Sequence, residues 1–326
     1  MRNRNGVICT VSVVCVVEEI DMKYLIIGAG GVGGCIGAYM TEAKKDVTLI
    51  ARGEHLKMMQ ECGLRMETTK KGNYVISNVK ATDMEHYAEQ PDVIFVCVKG
   101  YSLMDIVPFI KRVAKSDTIV IPLLNIYGTG SKLQEELPEL LVTDGCIYIV
   151  GEIKEPGCLW QKGDIFRVVY GVRESSEYRA ELETVKQDLE ESGIETILSD
   201  NIKRDALKKY AYISPAATCG LYYDATAGDM QKEGEIRDTF QALVGEIDIL
   251  AKAMGIDFGI DIVKTNVDIL DALAPVASTS MQRDIWQGRK SEIDGLVFEV
   301  VRLGEQFGVE LPTYEKITKE LLQRGF

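Results

Sequence analysis

The chain has 326 residues, which is enough for two domains that each bury a hydrophobic core. Its 46% hydrophobic and 27% charged residues are ordinary for a globular protein, and its net charge of −13 argues against nucleic acid and anionic membranes as partners. The eight cysteines include no C-x-x-C pair, so we predict no metal site and no disulfide framework. This cysteine usage favours a cytoplasmic location.

Residues 1–21 differ from the rest of the chain. MRNRNG is followed by the apolar run VICTVSVVCVV, which resembles a signal peptide but is too short to span a bilayer. Glu18, Glu19 and Asp21 stand where small cleavage-site residues are expected. We interpret residues 1–21 as a non-native extension or the product of an upstream start, and a cleaved signal peptide is the alternative.

The segment KYLIIGAGGVGG predicts a dinucleotide-binding turn. Residues 24–27 form a short apolar strand, and Gly28, Gly30 and Gly33 then follow the pattern G-x-G-x-x-G. Gly28 permits the tight turn, Gly30 lets backbone amides approach a pyrophosphate, and Gly33 lets the next helix lie close to the sheet. A second strand is predicted over residues 46–50, which makes dinucleotide binding a better interpretation than a glycine-rich turn alone.

The residue after this second strand indicates which dinucleotide binds. An NAD site usually has Asp or Glu here to bind the ribose 2′-hydroxyl, but this chain has Arg52. A guanidinium can bind a 2′-phosphate with two hydrogen bonds. We therefore predict NADPH as the cofactor, with a solvated surface arginine as the alternative.

Two later apolar runs, residues 92–98 and 118–124, predict buried parallel strands. Lys99 and Asn125 follow them directly, at the strand ends where open α/β sheets bind ligands. Ordinary loop polarity is the alternative for each. Residues 142–172 are interpreted as antiparallel strands that extend the same sheet, and the first domain is expected to end near Asp200.

From Asn201 onward the apolar residues recur at helical spacing, most clearly over residues 236–254 and 293–303. The predicted fold class is therefore α/β, with a Rossmann-type dinucleotide-binding domain over residues 22–200 and an all-helical domain over residues 201–326. We expect the helical domain to carry the substrate-binding and catalytic groups.

The histidine count limits the choice of proton donor. Many nicotinamide-linked 2-hydroxy-acid dehydrogenases use a histidine beyond the cofactor half, but this chain has only His55 and His86. A lysine can also donate the proton and stabilise a developing alkoxide. Lys208 and Lys209 open the helical domain, and periodicity alone leaves both interpretable as solvated.

Several motifs together resemble the ketopantoate reductase (2-dehydropantoate 2-reductase) family, over nearly all of residues 22–326. GAGGVGG and LIARGEHL are similar to its cofactor half, VCVKGY to its strand-end lysine segment, and PLLNIYG to its P-L-Q-N-G segment. TSMQRDIWQGRKSEIDGL resembles its motif S-M-x-x-D…G-R-x-x-E-I-D, and the same alignment selects Lys209 over Lys208.

The resemblance implies reduction of 2-dehydropantoate to (R)-pantoate by NADPH, in pantothenate and coenzyme A biosynthesis. By the family pattern, Lys209 is the general acid, and Glu292 holds that lysine and contacts the substrate hydroxyl. Ser280 binds the substrate carboxylate, while Asn125 and Lys99 position nicotinamide and substrate. The expected partner is a small 2-oxo acid, and a homodimer is one assembly that the sequence permits.

The chain departs from the family around the expected substrate pocket. Ile126 replaces a glycine and Leu124 a glutamine, Ile213 and Ala217 stand where asparagines are common, and Phe298 replaces a usual glycine. These changes leave two alternatives open: a reductase of another branched 2-oxo acid or opine-type dehydrogenase, and a non-catalytic NADPH-binding sensor. The retained Lys209, Ser280 and Glu292 argue against the sensor, which needs no proton donor.

Overall fold

The computed structural model describes residues 22–326, so the interpretation of residues 1–21 lies outside the described residues. Its strands are β1 (Lys23–Ile27), β2 (Asp46–Ile50), β3 (Leu64–Thr68), β4 (Gly72–Ile76), β5 (Lys80–Thr82), β6 (Val93–Val96), β7 (Ile119–Pro122), β8 (Leu141–Val142), β9 (Asp144–Glu155), β10 (Cys158–Gly171) and β11 (Glu195–Leu198). Its α-helices are α1 (Gly31–Glu42), α2 (Gly53–Cys62), α3 (Val107–Val113), α4 (Thr129–Glu136), α5 (Glu181–Glu191), α6 (Ile202–Tyr223), α7 (Ala227–Met230), α8 (Glu235–Ala253), α9 (Ile262–Asp271), α10 (Ser280–Trp286), α11 (Glu299–Phe307) and α12 (Pro312–Gln323).

A six-stranded parallel sheet forms the centre of the N-terminal part, in the order β5-β2-β1-β6-β7-β8. This is the 3-2-1-4-5-6 arrangement of a doubly wound dinucleotide-binding fold, so the predicted Rossmann-type sheet is confirmed. In β1, Tyr24 and Ile26 belong to the hydrophobic cluster on one face, and Leu25 and Ile27 to the cluster on the other. Burial on both faces explains why these strands read as uninterrupted apolar runs.

The expectation that residues 142–172 extend this sheet is wrong. β9 and β10 form an antiparallel hairpin in a second sheet, ordered β11-β10-β3-β4 with β9 paired to β10. In that sheet β10 lies parallel to β3 and to β11. The predicted antiparallel strands are present, but strand pairing depends on contacts between distant segments that a single sequence does not specify.

Helix α1 lies between the two sheets, and its glycines make this possible. A Cβ atom on Gly31 would overlap the carbonyl oxygen of Gly151 in β9, and one on Gly34 would lie 2.5 Å from the Leu159 side chain in β10. A Cβ atom on Gly37 would overlap Leu49 of the parallel sheet. The glycines outside the G-x-G-x-x-G pattern therefore allow the hairpin to stack on α1 instead of joining the parallel sheet.

All regular elements described after Asn201 are helices, in agreement with the predicted helical C-terminal region. The longest, α6, contains Pro215, which has no N–H to donate to the carbonyl of Ala211 one turn earlier. The buried Asn266 side chain of α9 donates to that carbonyl at 2.9 Å instead. Within residues 22–326 no helix has the length and apolar character needed to cross a membrane.

The helix predicted over residues 293–303 is divided in the structure. A π-helical turn, Asp294–Phe298, precedes α11, and such turns leave carbonyl groups without the usual helical partner. Tyr210 Oη donates to the carbonyl of Gly295 at 2.7 Å, and Ser214 Oγ donates to that of Leu296 at 2.6 Å. Two side chains of α6 therefore fix the segment that directly follows Glu292.

Candidate active site

The turn after β1 has the geometry that a dinucleotide pyrophosphate requires. Gly28 has a φ of +102°, and a Cβ atom there would lie 2.9 Å from the Cys97 carbonyl oxygen. A Cβ atom on Gly33 would overlap the Gly28 carbonyl, whereas a Cβ atom on Gly30 would have no atom within 4 Å apart from those of Gly30 and its two chain neighbours. The open space at Gly30 faces the N-terminal turn of α1, whose amides have no helical acceptor. The residues present therefore fit a dinucleotide.

Arg52 lies at the N-terminus of α2, immediately beyond β2. Its side chain is exposed and makes no hydrogen bond or ion pair to the described part of the chain. The amides of Gly28 and Ala29 donate to the carbonyl of Ile50, at 3.3 and 3.0 Å, so the end of β2 is joined to the glycine turn. The backbone of Arg52, two residues beyond Ile50, is thus joined closely to the glycine turn, and its guanidinium is available to an anionic ligand.

Lys209 joins the helical part to the ends of the parallel strands. It is 7% exposed, and its Nζ donates to Asn125 Oδ1 at 2.7 Å and to the backbone carbonyl of Ile147 in β9. Burial lowers the pKa of Lys209 to about 8, while nearby Cys146 and Glu292 act in the opposite direction. An ammonium with this pKa exchanges its proton readily near neutral pH.

Glu292 contacts a different lysine from the one expected. Its carboxylate accepts hydrogen bonds from Lys99 Nζ at 3.1 Å and from the Gly100 amide at 2.9 Å. Glu292 pairs with Lys99 and not, as expected, with Lys209. Its only effect on Lys209 is electrostatic, because its negative charge acts to raise the pKa of that lysine. The Lys–Glu pair that bridges the two parts of the chain is therefore Lys99–Glu292.

Asp284 is the residue of this site to which the sequence reasoning gave no role. Lys99 Nζ donates to Asp284 Oδ2 at 2.9 Å, and Arg289 Nε donates to Oδ1 of the same carboxylate at 2.9 Å. Burial acts to lower the pKa of Lys99, but the carboxylates of Glu292 and Asp284 together outweigh this effect and raise it. Asp284 and Arg289 both belong to the motif S-M-x-x-D…G-R, so this motif could have identified Asp284 as a residue of the site.

Ser280 begins α10, one helical turn before Asp284, so both residues lie on the same face of this helix. That face carries the carboxylate that binds Lys99. Ser280 is partly exposed, and its hydroxyl forms no hydrogen bond among residues 22–326. Its position is compatible with an anion-binding role near Lys99.

The residues that depart from the family pattern lie in different environments. A Cβ atom on Gly100 or on Gly295 would overlap Ile126 Cδ1, so the Ile126 side chain fills the space between these glycines, beside Glu292. Ala217 is fully buried in the hydrophobic core of the helical part, and Ile213 packs against the same core. Of these three substitutions, Ile126 is the one that contacts the polar site.

Comparison with known proteins places both parts of the chain in one family. The family described as "Ketopantoate reductase PanE/ApbA" matches residues 24–175, and "Ketopantoate reductase PanE/ApbA C terminal" matches residues 201–324. The "Uncharacterized oxidoreductase YkpB" of Bacillus subtilis (strain 168) is 27% identical over 92% of this chain and 98% of its own length. The 2-dehydropantoate 2-reductase of Pyrococcus horikoshii is 28% identical over 89% of this chain and 93% of its own.

Among solved structures, the ternary structure of D-mandelate dehydrogenase with NADH and anilino(oxo)acetate has the same fold. Its TM-score is 0.81, its sequence identity is 22%, and the match covers 91% of this chain and 96% of that one. The match shows that this chain has the fold of that enzyme, whose structure contains NADH.

Proposed function

Because the chain belongs to the ketopantoate reductase family of oxidoreductases, we propose that it catalyses the NADPH-dependent reduction of a 2-oxo acid, with 2-dehydropantoate as its substrate. The observation that carries this proposal is Lys209, a buried lysine with a lowered pKa at the junction of the two parts of the chain. Asn125 and the Ile147 carbonyl hold its ammonium group in place. A module that only bound a dinucleotide would not require such a group.

The residues have distinct roles in the proposed reaction. The glycine turn at residues 28–33 and Arg52 would hold NADPH, which would supply a hydride to the carbonyl carbon of the 2-oxo acid. Lys209 donates a proton to the carbonyl oxygen, which stabilises the negative charge that develops there. Ser280 and Lys99 bind the substrate carboxylate, and Glu292 and Asp284 orient Lys99.

The direct test is NADPH oxidation with 2-dehydropantoate, pyruvate, 2-oxoisovalerate and 2-oxoisocaproate in parallel. We expect the highest kcat/KM with 2-dehydropantoate. Tight NADPH binding without turnover of any of the four would favour the sensor alternative.

The homodimer and the cytoplasmic location stay predictions. Light scattering of the purified protein tests the homodimer.

A second candidate substrate class is supported by Ile126 and Glu292. Ile126 fills the space beside Glu292, and both carboxylate oxygens of Glu292 already accept hydrogen bonds from the protein. The Ile126 side chain offers no hydrogen-bond partner to a substrate hydroxyl, whereas it can pack against the apolar side chain of a 2-oxo acid. This observation favours 2-oxoisovalerate or a similar acid as the alternative to 2-dehydropantoate.

Ile126→Gly is expected to raise the preference for 2-dehydropantoate over 2-oxoisovalerate by about tenfold in the ratio of kcat/KM values. Removing the side chain opens the space between Gly100 and Gly295 to the branched hydroxylated chain. Both kcat/KM values are measured on the same variant, so a smaller folded fraction lowers both equally and leaves their ratio unchanged. An unchanged ratio would show that Ile126 does not contact the substrate.

The rate of reduction is expected to depend on the protonation of Lys209. Because burial lowers the pKa of Lys209 to about 8, its ammonium form predominates at pH 7 and is lost as the pH rises through 8. We expect kcat/KM for reduction to be level below pH 7 and to fall about tenfold per unit well above pH 8. Oxidation of the 2-hydroxy acid, which needs the neutral amine, should increase over the same range. A reduction rate that rises above pH 8 would contradict this assignment.

A further inference from the structure

His55 makes two hydrogen bonds that join three segments of the N-terminal part. It lies in the first turn of α2, its Nε2 is 2.9 Å from the carbonyl oxygen of Ala29, and its Nδ1 is 2.9 Å from the amide nitrogen of Gly157. An amide N–H can only donate, so Nδ1 accepts and the ring hydrogen is on Nε2, which donates to Ala29. Burial lowers the pKa of His55, which favours this neutral ring.

The Ala29 carbonyl belongs to the peptide group that ends in the Gly30 N–H. In a trans peptide the C=O and N–H point in opposite directions, so a bond that fixes the Ala29 carbonyl also fixes the direction of the Gly30 N–H. The Ala29 amide is held separately by the Ile50 carbonyl at 3.0 Å. Because the Ala29 carbonyl points toward the His55 ring, the Gly30 N–H of the same peptide points away from His55.

The space around Gly30 is where the proposed cofactor would bind. Apart from Gly30 and its two chain neighbours, no atom lies within 4 Å of its Cβ position, and Gly30 is the residue directly before α1. The second bond of the ring, from the Gly157 amide, joins it to the turn between β9 and β10. Because the ring donates to the Ala29 carbonyl, it lies on the carbonyl side of the Ala29–Gly30 peptide. His55 therefore contacts the glycine turn from the side opposite to the Gly30 N–H.

We propose that His55 is a positioning residue for the dinucleotide, which holds the Ala29–Gly30 peptide so that the Gly30 N–H faces the pyrophosphate. This inference rests on the proposed NADPH-dependent function and adds a residue to it that does not touch the cofactor. The bond is made before any ligand arrives, so its contribution is to affinity and not to the chemical step. His86 makes no comparable contact, because it is exposed and bonded to Asp83.

The test is calorimetric binding of two ligands to the whole protein. His55→Ala is expected to weaken NADPH about tenfold, as the loss of one preorganised hydrogen bond predicts. Adenosine 2′-monophosphate lacks the pyrophosphate, so its affinity should change less than about twofold. The kcat at saturating NADPH should stay near the wild-type value, and His86→Ala, the matched control, should leave both affinities unchanged.

His55→Gln retains a side-chain N–H that can donate to the Ala29 carbonyl, and we expect it to recover part of the NADPH affinity. This variant also keeps the test valid should His55→Ala fail to fold. Equal weakening of both ligands would mean that His55 only supports α2, and unchanged NADPH affinity would mean that the peptide needs no support; either result overturns the inference. Wild-type protein that binds neither NADPH nor NADH would instead refute the proposed function.

Discussion

Lys209→Ala is expected to lower kcat for reduction by about 10³-fold or more, while NADPH affinity changes less than about twofold. The lysine supplies both the proton and the positive charge opposite the developing alkoxide, and no other cation of the described chain contacts Asn125 and the Ile147 carbonyl. Since the pyrophosphate and 2′-phosphate contacts are assigned to the glycine turn and Arg52, they should persist even though Asn125 loses its hydrogen bond to Lys209. Single-turnover kinetics with bound NADPH, together with calorimetry, separates the two effects.

Two further variants make this experiment specific. Lys209→Met keeps an unbranched side chain of similar length and removes the charge, so an equal loss of kcat with an unchanged melting temperature excludes a packing defect as the cause. Lys208→Ala is the matched control, because Lys208 is the neighbouring lysine, is only partly buried and makes no ion pair among residues 22–326. Greater damage from Lys208→Ala than from Lys209→Ala would show that the assigned proton donor is wrong.

The parallel sheet could be predicted because its information is local. Residues 24–27 are apolar on both faces of β1, and the Gly28 and Gly33 positions that follow leave no room for a Cβ atom. Lys99 and Asn125 could be placed together for the same reason, since the ends of neighbouring parallel strands meet at one edge of a sheet. Neither inference needed contacts between distant segments.

The second sheet and the pairing of Glu292 could not be predicted, because both depend on such contacts. The hairpin stacks on α1 through Gly31 and Gly151, which are 120 positions apart in the chain. Glu292 had two lysines within reach, and the choice depends on the Gly100 amide, a backbone donor that carries no side-chain signal. The hydrogen bond from Lys209 to the Ile147 carbonyl could not be predicted for the same reason, because its acceptor is also a backbone group.

The buried polar groups of the helical part also show why the site is held in one geometry. Tyr210, adjacent to Lys209, and Ser214 bind the carbonyls of the π-helical turn that follows Glu292. A displacement of α6 would therefore move the Glu292 segment with it, because buried carbonyls that lose their donors are costly. Lys209 and Glu292 keep a fixed relation although they make no direct hydrogen bond.

Arg52→Ala is expected to weaken NADPH by roughly 10- to 100-fold and to change NADH affinity less than about twofold, because hydrogen bonds to a charged phosphate contribute about 1.5–3 kcal/mol. The exposed guanidinium has no protein partner among residues 22–326, so its removal should leave the fold unchanged and act only on a ligand that carries the 2′-phosphate.

Lys57→Ala is the matched control, since Lys57 lies on the same helix and is paired with Glu54 at 3.7 Å. Affinities for both dinucleotides, measured by calorimetry at one salt concentration, give the result. Equal losses for NADPH and NADH would remove the 2′-phosphate assignment, and a wild-type preference for NADH would mean that Arg52 is a solvated surface residue and that the cofactor is NADH.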